Sequence, residues 1–139
     1  MTQALVKIPG TIRLELPYPP SVNHYWRMAK GVVYVSAEGL RFRKVVVAVC
    51  KAAGIQPITG KLDLHFEVWP PDRIRRDLDN VQKALLDALK HGGCCGDDSQ
   101  IKHIDASMHD YTQARAGRTV ATLKRMDGPQ CIQEELFDE

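Results

Sequence analysis

Residues 61–69 read KLDLHFEVW and carry the clearest strand signal in the chain. Apolar and polar side chains alternate along them, and this period of two is typical of a β-strand that buries one face. Pro70-Pro71 ends the strand, because proline has no N–H to donate to a sheet. The side predicted to face the core carries Leu62, Leu64, Phe66 and Val68.

A helix is predicted before this strand and another after it. Ser36 suits the N-cap of the first helix, which is expected to end at Gly54. The second helix is expected from Asp79 to His91, where Gly92-Gly93 stops it. Apolar residues at i, i+3, i+4 and i+7 predict the buried stripe of each helix. The first stripe comprises Phe42, Val45, Val46, Val49, Cys50 and Ala53, and the second comprises Val81, Leu85 and Leu89.

Three more strands complete the predicted fold. Residues 11–17 alternate and stop at a proline, and weaker strand patterns cover about 101–109 and 118–125. An extended loop with aromatic and polar groups is expected from Pro17 to Trp26. The order β-α-β-α-β-β, with a hairpin-like end, predicts an α/β (α+β) fold: a single mixed sheet with two helices packed on it.

Length and charge indicate one domain with a distinct tail. We place the domain at residues 1–126 and expect an acidic, flexible tail at 127–139. All 19 lysines and arginines precede residue 127, together with 12 of the 17 acidic residues. A basic body favours a polyanion such as nucleic acid as the partner, although a merely soluble basic surface fits the charge equally well.

No apolar run reaches the roughly 18 residues of a membrane span. The N-terminus does not resemble a signal peptide, so a cytoplasmic location without membrane contact is expected.

The cysteines do not predict a disulfide framework. The four, at positions 50, 94, 95 and 131, are too few and too irregularly placed, and free thiols are expected. A structural zinc site is the alternative. Neither the adjacent cysteines nor the five histidines show the ligand spacing of such a site.

The most informative stretch follows the strand at 61–69, where residues 71–83 read PDRIRRDLDNVQK. Asp77 and Asp79 flank Leu78, and in an extended segment both carboxylates would point to the same side and converge. Asp79 also stands where the second helix begins, so an N-cap role is an equal alternative for it. That alternative explains neither Asp77 nor the arginines just before it.

Two further elements near these acids have a double interpretation. Lys83, one helical turn after Asp79, fits either an i, i+4 ion pair or a cation placed to bind a scissile phosphate beside a metal site. Asp97 and Asp98 lie in a glycine-containing loop, where acids are usually turn formers, but neighbouring strand ends can bring distant acids together. Hard cations such as Mg²⁺ take oxygen ligands. On pattern alone, metal chemistry and plain structural roles are equally open.

Basic and aromatic residues are also open to two interpretations. The arginines before Asp77 fit either phosphate contacts or surface charge pairing, and such pairing contributes at most about 1 kcal/mol per pair. The basic residues on the exposed side of the first helix fit either phosphate contacts or a solvated helix face. Tyr25 and Trp26 fit base stacking or a small core under their loop. The basic residues are Arg73, Arg75 and Arg76 in the first group and Arg41, Lys44 and Lys51 in the second.

Four short motifs carry a family resemblance. The two most specific are residues 75–84, RRDLDNVQKA, and residues 97–101, DDSQI. They are accompanied by residues 19–23, PPSVN, and residues 36–39, SAEG. Together, in this order and at similar spacings, the motifs resemble those of the RusA-type Holliday junction resolvases over most of residues 14–125.

The resemblance implies a RusA-like fold and a homodimeric, Mg²⁺-dependent endodeoxyribonuclease, with Mn²⁺ as a substitute ion. Such an enzyme resolves four-way junction DNA by paired symmetric nicks during DNA recombination and repair. Its products would carry a 5′-phosphate and a 3′-hydroxyl. A non-catalytic module that binds branched DNA, or a nuclease of the same fold that cuts flaps, is the alternative. A phage (or prophage) setting and a host setting are both open.

The resemblance also implies roles for individual residues. Asp77, Asp79 and Asp98 match the metal ligands of the family and Lys83 its catalytic lysine. Arg76 matches a supporting arginine, and Asn80 a polar residue that borders the site. The expected DNA-binding residues are Arg73, Arg75, Arg76, Asn80, Asn23 and Lys44.

Two segments depart from the family pattern. Gly93-Cys94-Cys95-Gly96 stands where some members have bulky aromatics, which puts a role of this segment at the junction centre in doubt. The acidic tail contains residues 133–137, QEELF, which resemble the Gln-x-x-Leu-Phe peptide that docks onto bacterial sliding clamps. Gln133, Leu136 and Phe137 would be its anchors, and a chance match is the alternative.

Overall fold

The structure is a computed structural model, and it describes residues 10–126. The predicted tail at 127–139, with the clamp-binding residues Gln133, Leu136 and Phe137, lies outside the described residues. Binding of a sliding clamp therefore stays a prediction. Within residues 10–126, no helix is both long enough and apolar enough to cross a bilayer.

The described chain contains six strands and three α-helices. In chain order they are β1 (Thr11–Pro17), α1 (Val22–Tyr25), β2 (Trp26–Ala29), β3 (Val32–Val35), α2 (Ala37–Ala52), β4 (Leu62–Trp69), α3 (Asp79–His91), β5 (Ile101–Met108) and β6 (Arg118–Arg125). Single 3₁₀ turns lie at Asp98–Gln100 and Gln113–Arg115.

The main sheet has the strand order β1-β6-β4-β5. Strand β4 pairs antiparallel with β6 and parallel with β5, and β1 pairs antiparallel with β6. The inward side chains of β4 are fully buried, as its alternating sequence predicts. The predicted mixed sheet is therefore confirmed.

Helices α2 and α3 begin and end close to the predicted residues. The Ser36 hydroxyl accepts a hydrogen bond from the Gly39 N–H at 3.0 Å, and the chain turns out of α2 at Gly54, which has a φ of +67°. Val45, however, is 44% exposed, so its predicted burial is wrong. It stands about 100° around the helix from the buried Val46, outside the stripe that meets the sheet.

The predicted loop from Pro17 to Trp26 is wrong in its second half. The Ser21 hydroxyl caps a single helical turn, α1, whose Tyr25 is fully buried. Strands β2 and β3 then form a separate two-stranded hairpin, so the order is β-α-β-β-α-β-α-β-β. The alternative of a small core under this segment is confirmed for Tyr25.

The predicted hairpin-like end is also wrong. Strands β5 and β6 do not pair with each other but flank β4 on opposite sides. The connection after β5 passes over the end of β4, where the Gly117 N–H donates to the Trp69 carbonyl at 3.0 Å. Because β5 and β6 flank it, β4 has its backbone groups paired along both edges, as a strand in the core requires.

A polar cluster inside the helical layer joins α1, α2 and α3. The Tyr25 hydroxyl donates to the Asp87 carboxylate, and Arg43 Nη2 lies 2.8 Å from the same oxygen. Burial, followed by the bond to Asp87, raises the pKa of Tyr25 to about 12. Burial opposes ionisation of Asp87, but the hydrogen bonds from Tyr25 and Arg43 lower its pKa nonetheless. The cluster fixes the helices that carry the residues predicted to be functional.

Three of the four cysteines are free thiols, as predicted, and the structure shows that all three are buried. Cys50 and Cys94 place their sulfur atoms 3.8 Å apart, and Cys95 is buried beside them. Because Cys94 and Cys95 belong to the core, this segment does not present the surface that bulky aromatics would. Cys131 lies outside the described residues.

Candidate active site

An open groove of about 810 Å³ lies beside the segment that joins β4 to α3. One wall is the proline-rich stretch after β1, and another is the exposed side of α2. Its polar lining comes largely from residues predicted to be functional. These are Arg41, Arg75, Arg76, Asp77 and Asn80, accompanied by Ser21, His24 and Glu38.

The loop before Asp77 is held by one carboxylate. Asp72 accepts a hydrogen bond from the Ile74 N–H at 2.9 Å and two from the guanidinium of Arg76. Arg76 also donates to the Ile74 carbonyl at 3.2 Å and lies 5.7 Å from the ring centre of Tyr18. The hydrogen bonds from Arg76 and then Ile74 lower the pKa of Asp72. Arg76, predicted to contact DNA, is thus engaged within the loop that presents Asp77.

Asp77 and Asp79 do not lie in an extended segment, contrary to the prediction. Leu78 between them has helical angles, φ −61° and ψ −40°, and the Asn80 N–H donates to the Asp77 carbonyl at 3.1 Å. Leu78 occupies the N-cap position of α3 without a side-chain cap, and Asp79 is the first helical residue. The N-cap alternative for Asp79 is therefore wrong. Both carboxylates are exposed, and neither pairs with a residue of the described chain.

Lys83 follows one turn along α3 and is exposed. Within residues 10–126 it forms no ion pair, so the i, i+4 pairing with Asp79 that the sequence allowed is absent there. Its ammonium group remains available to a phosphate.

The adjacent acids Asp97 and Asp98 differ in what holds them. The Asp97 carboxylate accepts from the Ser99 N–H at 3.1 Å and lies 3.7 Å from Lys90 Nζ. Hydrogen bonds from Ser99 lower the pKa of Asp97. Asp98 is exposed and has no ion pair or side-chain hydrogen bond with the described residues. Of the two, Asp98 is the one free to bind a ligand.

Gln100 is a positioning residue whose role the sequence reasoning missed. Its carbonyl oxygen accepts from the Gly96 and Asp97 N–H groups at 2.8 and 3.0 Å. Its amide nitrogen donates to the carbonyls of Ile58 and Gly60 at 3.0 and 2.9 Å. The spacing Asp97-x-x-Gln100 is that of a capping box, so a signal was present in the sequence.

The topology separates the first two acids from Asp98. Because β4 and β5 are parallel, with Leu62 beside Ile101, the loop before β5 lies at the start of β4. Asp77 and Asp79 follow the opposite end of β4. Helix α3 spans the distance between them, and its 13 residues are about 18 Å long. Within residues 10–126, no three carboxylate, imidazole or thiolate groups lie close enough to hold a metal ion.

The other predicted DNA-binding residues lie around the groove and on exposed surfaces. Arg75 and Asn80 line the groove, and Arg73 stacks its guanidinium 4.8 Å from the ring centre of Tyr111. Asn23 is exposed in α1, and Lys44 is exposed on α2. The fold therefore gathers only some of the predicted DNA-binding residues at the groove.

Comparison with known proteins identifies the family. Residues 17–123 match the family described as Endodeoxyribonuclease RusA. The chain is 37% identical over 122 residues to the crossover junction endodeoxyribonuclease RusA of Escherichia coli, a match that covers 84% of this chain and 97% of the relative. The proteins of the same name from Shigella sonnei and Enterobacteria phage 82 are each 36% identical over the same shares. The chain belongs to the RusA family of endodeoxyribonucleases.

Proposed function

We propose that this protein is a divalent-metal-dependent endonuclease that resolves four-way DNA junctions by paired symmetric nicks, in DNA recombination and repair. The name of its relatives, crossover junction endodeoxyribonuclease, supports the substrate. The relative from phage 82 makes a prophage setting one expected context.

The observation that carries the proposal is a contrast between paired and unpaired charges. Asp72, Asp87 and Asp97 are all bound by neighbouring side chains or backbone groups. Asp77, Asp79, Asp98 and Lys83 are exposed and unpaired within the described chain. A protein that only bound a polyanion would gain nothing from exposed carboxylates, which repel phosphates. A metal ion between carboxylate and phosphate removes that conflict.

The donor set fits Mg²⁺, with Mn²⁺ as a substitute. Carboxylate oxygens are the ligands these hard cations take, and Mg²⁺ usually relies on a few carboxylates completed by water and substrate phosphate. Such an ion, when bound, supplies an activated water and positive charge at the phosphodiester. Hydrolysis would leave a 5′-phosphate and a 3′-hydroxyl.

The chain's own basic groups position the DNA. Lys83 lies one turn after Asp79 on α3, where its ammonium can stabilise the charge that develops on the scissile phosphate. Arg41 and Arg75 line the groove next to Asp77 and suit the phosphates of the approaching strand. Arg76 acts through Asp72, by holding the loop. Binding should weaken as salt rises, because phosphate contacts release counterions.

We infer that two copies of the chain complete each metal site. Two ligand oxygens of one Mg²⁺ ion lie at most about 4 Å apart, whereas α3 separates Asp79 from the loop of Asp98 by about 18 Å. In a two-fold dimer, residue i of one copy meets residue j of the other and the reverse. Asp98 of the second copy can therefore meet Asp77 and Asp79 of the first. Two such sites also match the two cuts of a symmetric junction.

Cleavage of a synthetic four-way junction tests the proposal. With Mg²⁺, the wild-type protein should place paired symmetric nicks in the junction and leave a linear duplex of the same sequence intact. EDTA or Asp77→Asn should abolish cutting but not junction binding. Asp105→Asn, at an exposed acid on the outer face of the sheet, is the matched control and should cut normally. Junction binding without cutting under several metals would refute the enzyme and leave a branched-DNA-binding module, and preferential cutting of flaps would change the substrate.

A further inference from the structure

The β2–β3 hairpin exposes apolar side chains on both of its faces, and the proposed chemistry does not use them. Four of the eight large apolar side chains exposed in the described residues lie on it, within seven positions of the chain. Met28 is 71% exposed, Val32 61%, Val33 58% and Tyr34 48%. Exposed apolar groups gathered in this way mark an interaction site more often than scattered ones do.

The hairpin is exposed beyond its first residue pair. At its base, Trp26 pairs with Val35, and both pack against the core. Met28 and Val33, the pair two positions further out, continue the same face into solvent. At the tip, Lys30 and Gly31 have φ angles of +52° and +77°, and a Cβ added at Gly31 would meet no atom within 4 Å. An isolated two-stranded hairpin is marginally stable in water, so a partner that covers this one would stabilise it.

The charge of the hairpin indicates what covers it. Residues 26–35 contain Arg27 and Lys30 and no acidic residue. Against the hairpin of a second copy, these cations would meet their own equivalents and repel. Against DNA they meet phosphates. A two-stranded ribbon also fits the width of a DNA groove, and apolar side chains of this kind insert between base steps and unstack them.

We propose that the β2–β3 hairpin inserts at the branch point of four-way DNA, with Met28 and Val33 covering bases that are unstacked there. Arg27 and Lys30 bind the phosphates on either side. The inference rests on the proposed function, because a branch point is where helical stacking is already interrupted and unstacking costs least. The hairpin thus distinguishes a junction from a linear duplex, separately from the carboxylates that cut it.

The test compares binding to a junction and to a linear duplex, in full-length protein carrying Asp77→Asn so that no DNA is cut. Met28→Thr with Val33→Thr keeps residues that suit a strand and removes the exposed apolar groups from the face that carries this pair. We expect the affinity for the junction to fall about tenfold, with the affinity for the duplex unchanged. A 2-aminopurine base at the branch point should brighten on binding of the parent protein and not of the variant. Leu40→Thr, at an exposed apolar residue of α2, is the control and should change neither.

The salt dependence of junction binding tests separately whether Arg27 and Lys30 bind phosphates. Arg27→Gln with Lys30→Gln should reduce the slope of log affinity against log salt by roughly one for each cation that is replaced. An unchanged slope would overturn that part of the proposal.

Three outcomes separate this inference from the function on which it rests. If the Asp77→Asn protein prefers the junction and the threonine variant prefers it equally, the hairpin inference fails alone. If the threonine variant becomes a monomer by light scattering while the parent is a dimer, a second copy covers the hairpin and the inference is wrong. If the parent itself does not distinguish junction from duplex, both proposals fail. Urea unfolding of each variant establishes that it is folded before binding is compared.

Discussion

Mixed dimers give the sharpest test of how the metal site is assembled. If each site combines Asp77 and Asp79 of one copy with Asp98 of the other, subunits carrying Asp77→Asn and Asp98→Asn should complement each other. In a dimer with one subunit of each kind, both substitutions fall in the same site and the second site is intact. If each site lies within one chain, both sites of the mixed dimer are damaged.

The expected magnitude follows from the geometry. Helix α3, with 13 residues, holds Asp79 and the Asp98 loop about 18 Å apart, far beyond the roughly 4 Å between two ligands of one ion. The ion pair of Asp97 with Lys90 and the hydrogen bonds of Gln100 keep that loop at the far end of the helix. Each mixed dimer should therefore nick at about half the wild-type rate, since one of two equivalent sites remains.

The assay uses co-expressed subunits with two different affinity tags, purified by both tags in succession. Nicks in a labelled four-way junction are counted in each strand. We expect single nicks without paired resolution, and no nicks from either parental homodimer. Mixed dimers as inactive as both homodimers would refute the two-chain site. Mixed dimers made with Asp77→Asn and Asp79→Asn subunits are the control, because there each site is damaged once and none survives.

Three further predictions concern residues that hold the site. Asp87→Ala should lower the free energy of unfolding by ~3 kcal/mol, because it leaves the largely buried Arg43 charge unpaired. Tyr25→Phe should lower it by only about 1 kcal/mol, because it removes a single hydrogen bond. Urea unfolding at fixed protein concentration measures both losses, and equal losses would contradict the pairing of Asp87 with Arg43. Because the pKa of Asp87 is lowered in the folded protein, the unfolded chain binds a proton at this carboxylate more readily. The stabilisation from Asp87 should therefore be full above about pH 4 and be lost as the pH falls further. Asp87→Asn should flatten this fall of the unfolding free energy with pH, and an unchanged pH dependence would contradict the prediction. Gln100→Ala should raise the Mg²⁺ concentration for half-maximal cleavage about tenfold with junction affinity kept, and a normal Mg²⁺ requirement would show that Gln100 does not position Asp98.

Elements with local signals could be predicted from the sequence alone. The alternation along β4, the Ser36 cap of α2 and the glycines after α3 each depend on residues a few positions apart, and the structure has these elements near the predicted bounds. The hairpin was missed because β2 and β3 are only four residues each and β3, Val-Val-Tyr-Val, carries apolar side chains on both faces. Such strands lack the alternation that marks a buried face.

The candidate site divides in the same way. The motifs around Asp77 and Asp98 identified the family, because residue type and spacing are written in the chain, and the comparisons confirm it. The metal chemistry that the motifs predict stays a prediction. The sequence could not tell whether Asp79 caps a helix, whether Lys83 is paired, or which of Asp97 and Asp98 is free. Those outcomes depend on side-chain geometry, and the structure leaves Asp79, Lys83 and Asp98 unengaged within the described residues.

Residue identity and short-range pattern by themselves determined the central strand and the two long helices, and they named Asp77, Asp79, Asp98 and Lys83 as the predicted site. Only the tertiary structure decided that β6 and β5 flank β4 and that Asp98 lies a helix length away from Asp77 and Asp79. Strand pairing joins backbone groups that are distant in sequence, and the parallel β4-α3-β5 connection carries the chain back along a whole helix before the next strand begins. Local rules contain neither the partner of a strand nor its direction, so the distance between these acids follows from packing alone.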